Sequence, residues 1–155
     1  MAIARTVDRR LFFPFDRTHT QLSKSADHYL SISSGVSTSQ AAVLIYLGYH
    51  DGCRLSDLAT GVGRNNSAIT GLVTRMEKLG LVTRNKTLDG RSRAVFLTDE
   101  GWRLREIVRE DFRKFNEKLT RGLSETEIMT VIKFLNLSVE NAAVSYTHLT
   151  LPTKA

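Results

Sequence analysis

Between Gly80 and Gly101 the chain changes its hydrophobic period, and that change limits the folds open to it. Up to Gly80 the apolar residues recur at helical spacing. From Leu81 to Lys86 the pattern alternates, with Leu81, Thr83 and Asn85 on one side and Val82, Arg84 and Lys86 on the other. Asp89-Gly90 follows, a strong two-residue hairpin signal, because a type I′ turn needs positive φ at both central positions. Arg93 to Leu97 reads as the returning strand, and Thr98 as the cap of another helix. The fold class is therefore mainly α with one small β-hairpin.

The flanking segments supply the helices. Leu22, Ala26, Tyr29 and Leu30 make one apolar stripe of a helix that starts near Asp16 and is stopped by Gly35. Ser37 or Thr38 caps a second helix. Its Ala42, Leu44, Ile45 and Leu47 leave almost no polar face, so deep burial is expected, with Asp51-Gly52 as terminator. Ser56 reads as the N-cap of a short helix broken by Gly61 to Gly63. Asn65 caps a longer one with Ile69, Leu72, Val73, Met76 and Leu79 on one face and Gly80 closing it. Two helices joined by a tight glycine-bearing turn form a helix-turn-helix pattern. After the hairpin, Leu104, Ile107, Val108, Phe112, Phe115 and Leu119 form the inward face of a further helix, stopped by Gly122. Ser124 and Glu127 make a capping box for the last helix, which carries Ile128, Val131, Ile132 and Leu135 on one side.

Charge is unevenly placed. Of a net charge of +6, most lies between Arg54 and Arg93, where eight basic residues face three acidic ones. That is the footprint expected for a polyanionic partner, although a solvated basic surface would have the same composition. Other classes find no support. The 155 residues suit one domain, and no apolar run approaches the ~20 residues needed to span a bilayer. The N-terminal MAIARTVDRRLFFPF lacks a signal-peptide apolar region, and the lone Cys53 cannot form an internal disulfide, so a cytoplasmic protein is expected. His19, His28, His50 and His148 show no metal-ligand spacing, and neither a glycine-rich phosphate loop nor a catalytic cysteine signature is present. No enzyme, metal or cofactor is expected.

The middle of the chain carries a more specific pattern. Leu58-Ala59, the G-x-x-x-S-x-I-T run from Gly63 to Thr70 and the L-V-x-R-M-E-x-x-G-L-V run from Leu72 to Val82 precede D-G-R-S-R-A-V-F-L-T-D-E-G, Asp89 to Gly101. Together they resemble the MarR family of bacterial and archaeal transcription regulators. The resemblance implies a winged helix-turn-helix at 37–98, flanked by dimerisation helices at 1–36 and 99–143. It also implies a homodimer on a pseudo-palindromic operator, with recognition helices one DNA turn, ~34 Å, apart. A repressor released by a small phenolic or anionic ligand is the expected form.

Subtracting the apolar stripe of the recognition helix leaves Asn66, Ser67, Thr70, Gly71, Thr74, Arg75 and Lys78 outward. Asn65, Asn66, Ser67, Thr70 and Thr74 are suited to base edges, and Arg64, Arg75 and Lys78 to phosphates. Gly71 stands where many family members carry a long polar residue; it either allows close approach to the groove or omits a contact. By resemblance Arg91 enters the minor groove, whose negative potential attracts a guanidinium, and Asp89 holds it in pose. Lys86 and Arg84 would contact flanking phosphates, and Arg93 would point inward or to phosphate. A charged edge strand guarded against aggregation would explain the charge but not the helix-turn-helix before it.

The resemblance places the effector between dimerisation helices and winged domain, where Tyr46, Tyr49 and His50 could line a pocket or serve as core-edge residues. Cys53, beside Arg54, is either an oxidant-sensing thiol or a small buried apolar residue. Relatives that sense oxidants usually place the cysteine in the first helix, and here that helix has none. The competing function, a protein-interaction module that binds no DNA, would call for an apolar or acidic recognition face. Val144 to Thr153 reads as the translation of a transposon-end sequencing adapter, so 144–155 is set aside as a non-native tail, and native C-terminal residues would then be missing.

Overall fold

The first helix, α1 (Phe12–Ser33), begins four residues earlier than the apolar stripe suggests. Pro14 falls in its first turn, where an N–H has no partner four residues back and its absence does no harm. Ala26 and Leu30 are the buried residues of this helix, and Gly35, at φ 73°, turns the chain away from it. The computed structural model describes residues 10–86, 90 and 92–149, with side chains to residue 143; Asp89, Arg91 and 150–155 lie outside the described residues. The chain divides into two units, Met1–Phe115 and Asn116–Ala155.

In the first unit α2 (Thr38–Leu47) is the central helix, with Ala41, Val43, Leu44 and Leu47 fully buried. Its start is doubly capped. Ser37 and Gln40 form a reciprocal box, and Asp27 of α1 accepts from both the N–H and the hydroxyl of Thr38 at 2.7 Å. Those two bonds hold the Asp27 carboxyl below its ordinary value. The helix ends at Leu47, with Gly48 as C-cap, not at Asp51-Gly52 as the sequence suggests. Those two residues serve the sheet instead: Asp51 accepts from the Leu97 N–H at 2.8 Å, and Gly52 donates to the Val95 carbonyl at 2.9 Å. They lead into β1 (Cys53–Arg54), a two-residue strand with no signal in the alternation.

Strand β1 runs directly into α3 (Leu55–Gly61), whose N-cap is Arg54 without a side-chain cap; the expected cap, Ser56, lies inside the helix. A turn at Gly63 leads to α4 (Asn66–Lys78), followed by β2 (Val82–Lys86), β3 (Arg93–Leu97) and α5 (Asp99–Leu119). The antiparallel sheet has order β1-β3-β2, with Val82 opposite Leu97 and Lys86 opposite Arg93. The core joins Leu30, Leu44, Leu47, Leu58, Ile69, Val73, Met76, Val82, Val95 and Val108, so all the helices of this unit and the sheet share one interior. This is a winged helix-turn-helix with helices before and after it.

The joint between α4, the sheet and α5 is built from four residues. Gly80, at φ 71°, closes α4 with the Leu81 N–H donating to the Met76 carbonyl and its own N–H to that of Glu77, a full Schellman arrangement. Thr98 donates its N–H to the Leu81 carbonyl at 3.1 Å and its hydroxyl to the Gly80 carbonyl, while the same hydroxyl accepts from the Gly101 N–H at 3.1 Å. One side chain thus caps α5 and ties it to the end of α4. Gly101 is buried against this joint, and a Cβ there would overlap the Leu81 carbonyl oxygen.

Further along α5, Leu104 and Val108 are buried and Phe112 and Phe115 half-buried, as the stripe implies, whereas Ile107 stands more exposed. Two charged residues, Arg105 and Asp111, are buried where the pattern placed none. Asp111 accepts from the Ser33 hydroxyl at 2.6 Å. The Arg105 guanidinium lies 5.1 Å from the centroid of Tyr49 and 5.6 Å from that of Trp102, in space that a side chain at Gly48 would occupy.

The second unit takes up the end of α5, a turn through Gly122 at φ 91°, and α6 (Glu125–Leu149). Ser124 and Glu127 form the expected capping box, with the Ser124 N–H donating to Glu127 at 2.8 Å. The α6 backbone stays helical past Val144, where the sequence shows no helical period; a helix already running extends at little cost per residue.

The joint generates a stability prediction. Gly101→Ala should destabilise the protein by about 1–3 kcal/mol, because the backbone carbonyl it meets cannot move aside without breaking the Thr98 bond. Urea unfolding of both proteins measures this, and unchanged midpoints would show that α5 does not depend on the close approach.

Candidate nucleic-acid interface

The recognition helix is positioned from both ends. Its approach is set by Gly63, whose φ of 65° lets the Arg64 N–H reach back to the Ala59 carbonyl at 2.9 Å and stops α3. Asn65 then caps α4, accepting from the Ala68 N–H at 2.8 Å. Ile69, Leu72, Val73 and Met76 are buried beneath the helix. The opposite face leaves Asn66, Ser67, Thr70, Arg75 and Lys78 exposed, with Gly71 and Thr74 half-buried beside them.

This geometry divides the polar set by chemistry. The Asn65 carbonyl oxygen accepts the capping bond, so Asn66 is better placed than Asn65 for the two-point contact with adenine that an asparagine offers. The Thr70 hydroxyl donates to the Asn66 carbonyl and that of Thr74 to the Thr70 carbonyl, each at 2.8 Å. With their protons held by the helix, both oxygens face a ligand as acceptors, suited to the exocyclic amino groups of adenine or cytosine. Gly71 has the Arg75 guanidinium beside it, 3.6 Å from where its Cβ would stand, so a side chain there would meet ordinary contact rather than a clash.

The basic residues separate into two kinds. Arg84, expected at phosphate, forks onto Glu77 of α4. Its Nη2 donates to Oε2 at 2.6 Å and its Nε to the same oxygen at 3.1 Å, while its backbone N–H donates to Oε1 at 3.2 Å. The guanidinium is largely covered, and its bonds hold the Glu77 carboxyl below the ordinary value. This cation joins the wing strand to the recognition helix. Lys86 and Arg93, by contrast, are exposed and directly opposed across β2 and β3. Like charges facing each other on a sheet are destabilising by themselves, and an anion between them relieves the repulsion. Gly90 has φ 66°, the sign a type I′ turn requires; the expectations for Asp89 and Arg91 concern positions outside the described residues.

Tyr46, Tyr49 and His50 divide between two sets of contacts. Tyr46 stacks on His50, centroids 4.5 Å apart, and lies flat on Gly61, where a Cβ would collide with its ring. Tyr49 packs on Arg105 instead. Cys53 is half-buried in β1 with its thiol pushed up, first by burial and then by Asp57 and Asp51. A thiol so placed is the reverse of a reactive one.

A cavity of about 280 Å³ lies elsewhere, between α1, α2 and α4. Arg64 and Arg75 line it with the hydroxyl residues Ser23, Thr38 and Ser39, over a floor that includes Ile69 and Leu72. Nothing in the hydrophobic pattern announces it, because its wall is assembled from three helices distant in sequence.

Known proteins agree with this architecture. Residues 36–92 match the MarR family model. The uncharacterized HTH-type transcriptional regulator YfiV of Bacillus subtilis strain 168 is 35% identical over 114 residues, 69% of each chain. Among solved structures, the Staphylococcus aureus MepR–DNA complex superposes with a TM-score of 0.76 at 24% identity, covering 84% of this chain and 96% of that one. CouR from Rhodococcus jostii RHA1 bound to p-coumaroyl-CoA superposes at 0.72 with 22% identity, covering 85% and 93%.

The Glu77–Arg84 fork has a definite pH dependence. The folded protein holds Glu77 below its ordinary value of 4.5, so the unfolded chain binds that proton more readily. The stabilisation is complete above 4.5 and lost as pH falls through the lowered folded value. Glu77→Gln should speed hydrogen exchange in Val82–Lys86 at neutral pH, and the difference from wild type should shrink toward about pH 3. Equal exchange at neutral pH would mean the fork does not hold the wing.

Proposed function

The chain belongs to the MarR family of transcription regulators, and from that premise we propose that it is a homodimeric repressor in the cytoplasm. It binds a pseudo-palindromic operator and is released by a small phenolic or anionic ligand. The observation that carries the DNA reading is the pairing of surfaces on one rigid joint. The polar face of α4, with Asn66, Ser67, Thr70 and Thr74, stands beside a wing whose exposed cations, Lys86 and Arg93, oppose each other. A helix of this kind fits the major groove, and a basic hairpin reaches the neighbouring minor groove. Arg91 is the minor-groove residue in this reading, with Asp89 orienting it. Arg64, Arg75, Lys78, Lys86 and Arg93 take phosphates, and Arg84 acts through its fork on Glu77. An apolar or acidic face, which an interaction module without DNA would present, is not what α4 carries.

The dimer rests on two apolar patches that each unit leaves open. At the start of α1, Leu11, Phe12, Phe13 and Phe15 are all at least half exposed. Along α6, Met129, Val131, Ile132 and Val139 are exposed as well. Contiguous apolar surface of this kind marks an interface, and a two-fold dimer is the commonest assembly that buries it. Repression and release by a ligand are proposed by analogy with the solved structures of this fold, one bound to DNA and another to p-coumaroyl-CoA.

Gel shifts against the DNA upstream of the gene test the reading. Arg91→Ala should weaken binding and lower the salt slope, log K against log salt, by about 1. Thr70→Ala should reduce preference for operator over random DNA while leaving random-DNA affinity unchanged. An unchanged salt slope removes the wing from the mechanism, and equal losses on both DNAs place the base-reading face elsewhere.

A further inference from the structure

We propose that Arg75 reads a base as well as holding a phosphate, its guanidinium taking a guanine edge in the major groove across the space that Gly71 leaves open. This role rests on the DNA-binding reading and adds to it a specificity residue that position along α4 does not reveal. The backbone of Arg75 belongs to the last turn of the helix, whereas base edges are met by the N-terminal half. The side chain closes that distance. Helical side chains lean toward the N-terminus and cover the turn before their own Cα, and the Arg75 Nη1 stands 3.6 Å from where a Cβ of Gly71 would be. The guanidinium is therefore about one turn, ~5.4 Å, nearer the start of α4 than its own backbone.

Gly71 makes that position accessible. It lies on the outward face, one turn after Ser67 and one before Thr74. Beyond its chain neighbours and the backbone of its own helix, Arg75 Nη1 is the one atom among the described residues within 4 Å of a Cβ there. A methyl group would fit in ordinary contact, but a longer side chain would take the space through which the guanidinium faces the groove.

The guanidinium is not committed elsewhere. Among the described residues it makes no hydrogen bond or ion pair. Glu77, the one acid of α4, is held by Arg84, and the cavity that Arg75 borders is lined by a second cation, Arg64, and by no acid. Five N–H donors in a planar fork match the N7 and O6 acceptors of guanine and leave an N–H for the phosphate. Thr70 and Thr74 do not compete for that base. Their protons are held by helix carbonyls, so they offer acceptors to the amino groups of neighbouring bases.

Selection of sites from a randomised duplex pool by the full-length protein, then titration of the selected site with each base pair replaced in turn, tests the role. Wild type should prefer guanine at one position of each half-site by about 5- to 150-fold, the worth of one two-point contact. Placing 7-deazaguanine there, which lacks the N7 acceptor, should weaken wild-type binding at least about fivefold. Arg75→Gln should lose the guanine preference at that position alone and move it toward adenine, which glutamine matches. Gly71→Leu, with a better helix former filling the gap, should lose the same preference, whereas Gly71→Ala should keep it. Circular dichroism checks folding, and the 7-deazaguanine titration needs no variant. A guanine preference unchanged in Arg75→Gln, with affinity lowered equally on every sequence, overturns base reading and leaves Arg75 to the phosphate. Wild-type indifference to 7-deazaguanine at every guanine overturns it too. Preference retained in Gly71→Leu overturns the part played by the gap. A pool from which wild type enriches no sequence would instead count against the DNA-binding reading itself, and this role falls with it.

Discussion

The close approach of α5 to the end of α4 is the contact on which the remaining geometry depends. Within three residues the chain closes a helix, starts a strand and offers the carbonyls of Gly80 and Leu81 to Thr98. Because Gly101 has no side chain, α5 can start against this point. A helix that reads one groove and a hairpin that reaches the next must keep a fixed relation to each other. Here that relation is held by backbone groups, by the Thr98 hydroxyl and by the Glu77–Arg84 fork. Preorganisation of this kind matters because loops ordered only on binding would subtract their entropy from the affinity.

The same joint explains why the basic residues are not equivalent. Arg84 is compensated inside the protein and positions the wing. Lys86 and Arg93 are set against each other at the surface, and Arg64 and Arg75 border a cavity with little negative charge nearby. Folding alone would favour pairing each of these with an acid. The like charges of Lys86 and Arg93, directly opposed at the surface, repel in a way that a polyanion can relieve.

Much of this was legible in the sequence, for particular reasons. The α4 seat, the caps at Asn65, Thr98 and Ser124 and the register of β2 with β3 follow from periodicity and cap chemistry, which act over a few residues. Strand β1 was not legible, because two residues carry no period and pair with β3 only through the turn at Asp51-Gly52. The early end of α2 and the missing cap at Ser56 have the same origin, since tertiary pairing there overrides local preference. Of the candidate site, the outward face of α4 could be read by subtraction. The Glu77–Arg84 fork could have been anticipated from an acid on α4 and a cation on the adjoining strand. The buried Arg105 and Asp111 and the cavity could not, because each depends on elements far apart in the chain.

A chemical footprint on operator DNA tests most directly the claim that helix and wing read adjacent grooves from one rigid joint. Methylation protection reports guanine N7 in the major groove and adenine N3 in the minor groove within one experiment. The account predicts two stretches of major-groove protection on one face, about 10 base pairs apart between centres, each bordered by minor-groove protection. Protection of one groove alone, or of a single stretch at every protein concentration, would contradict it.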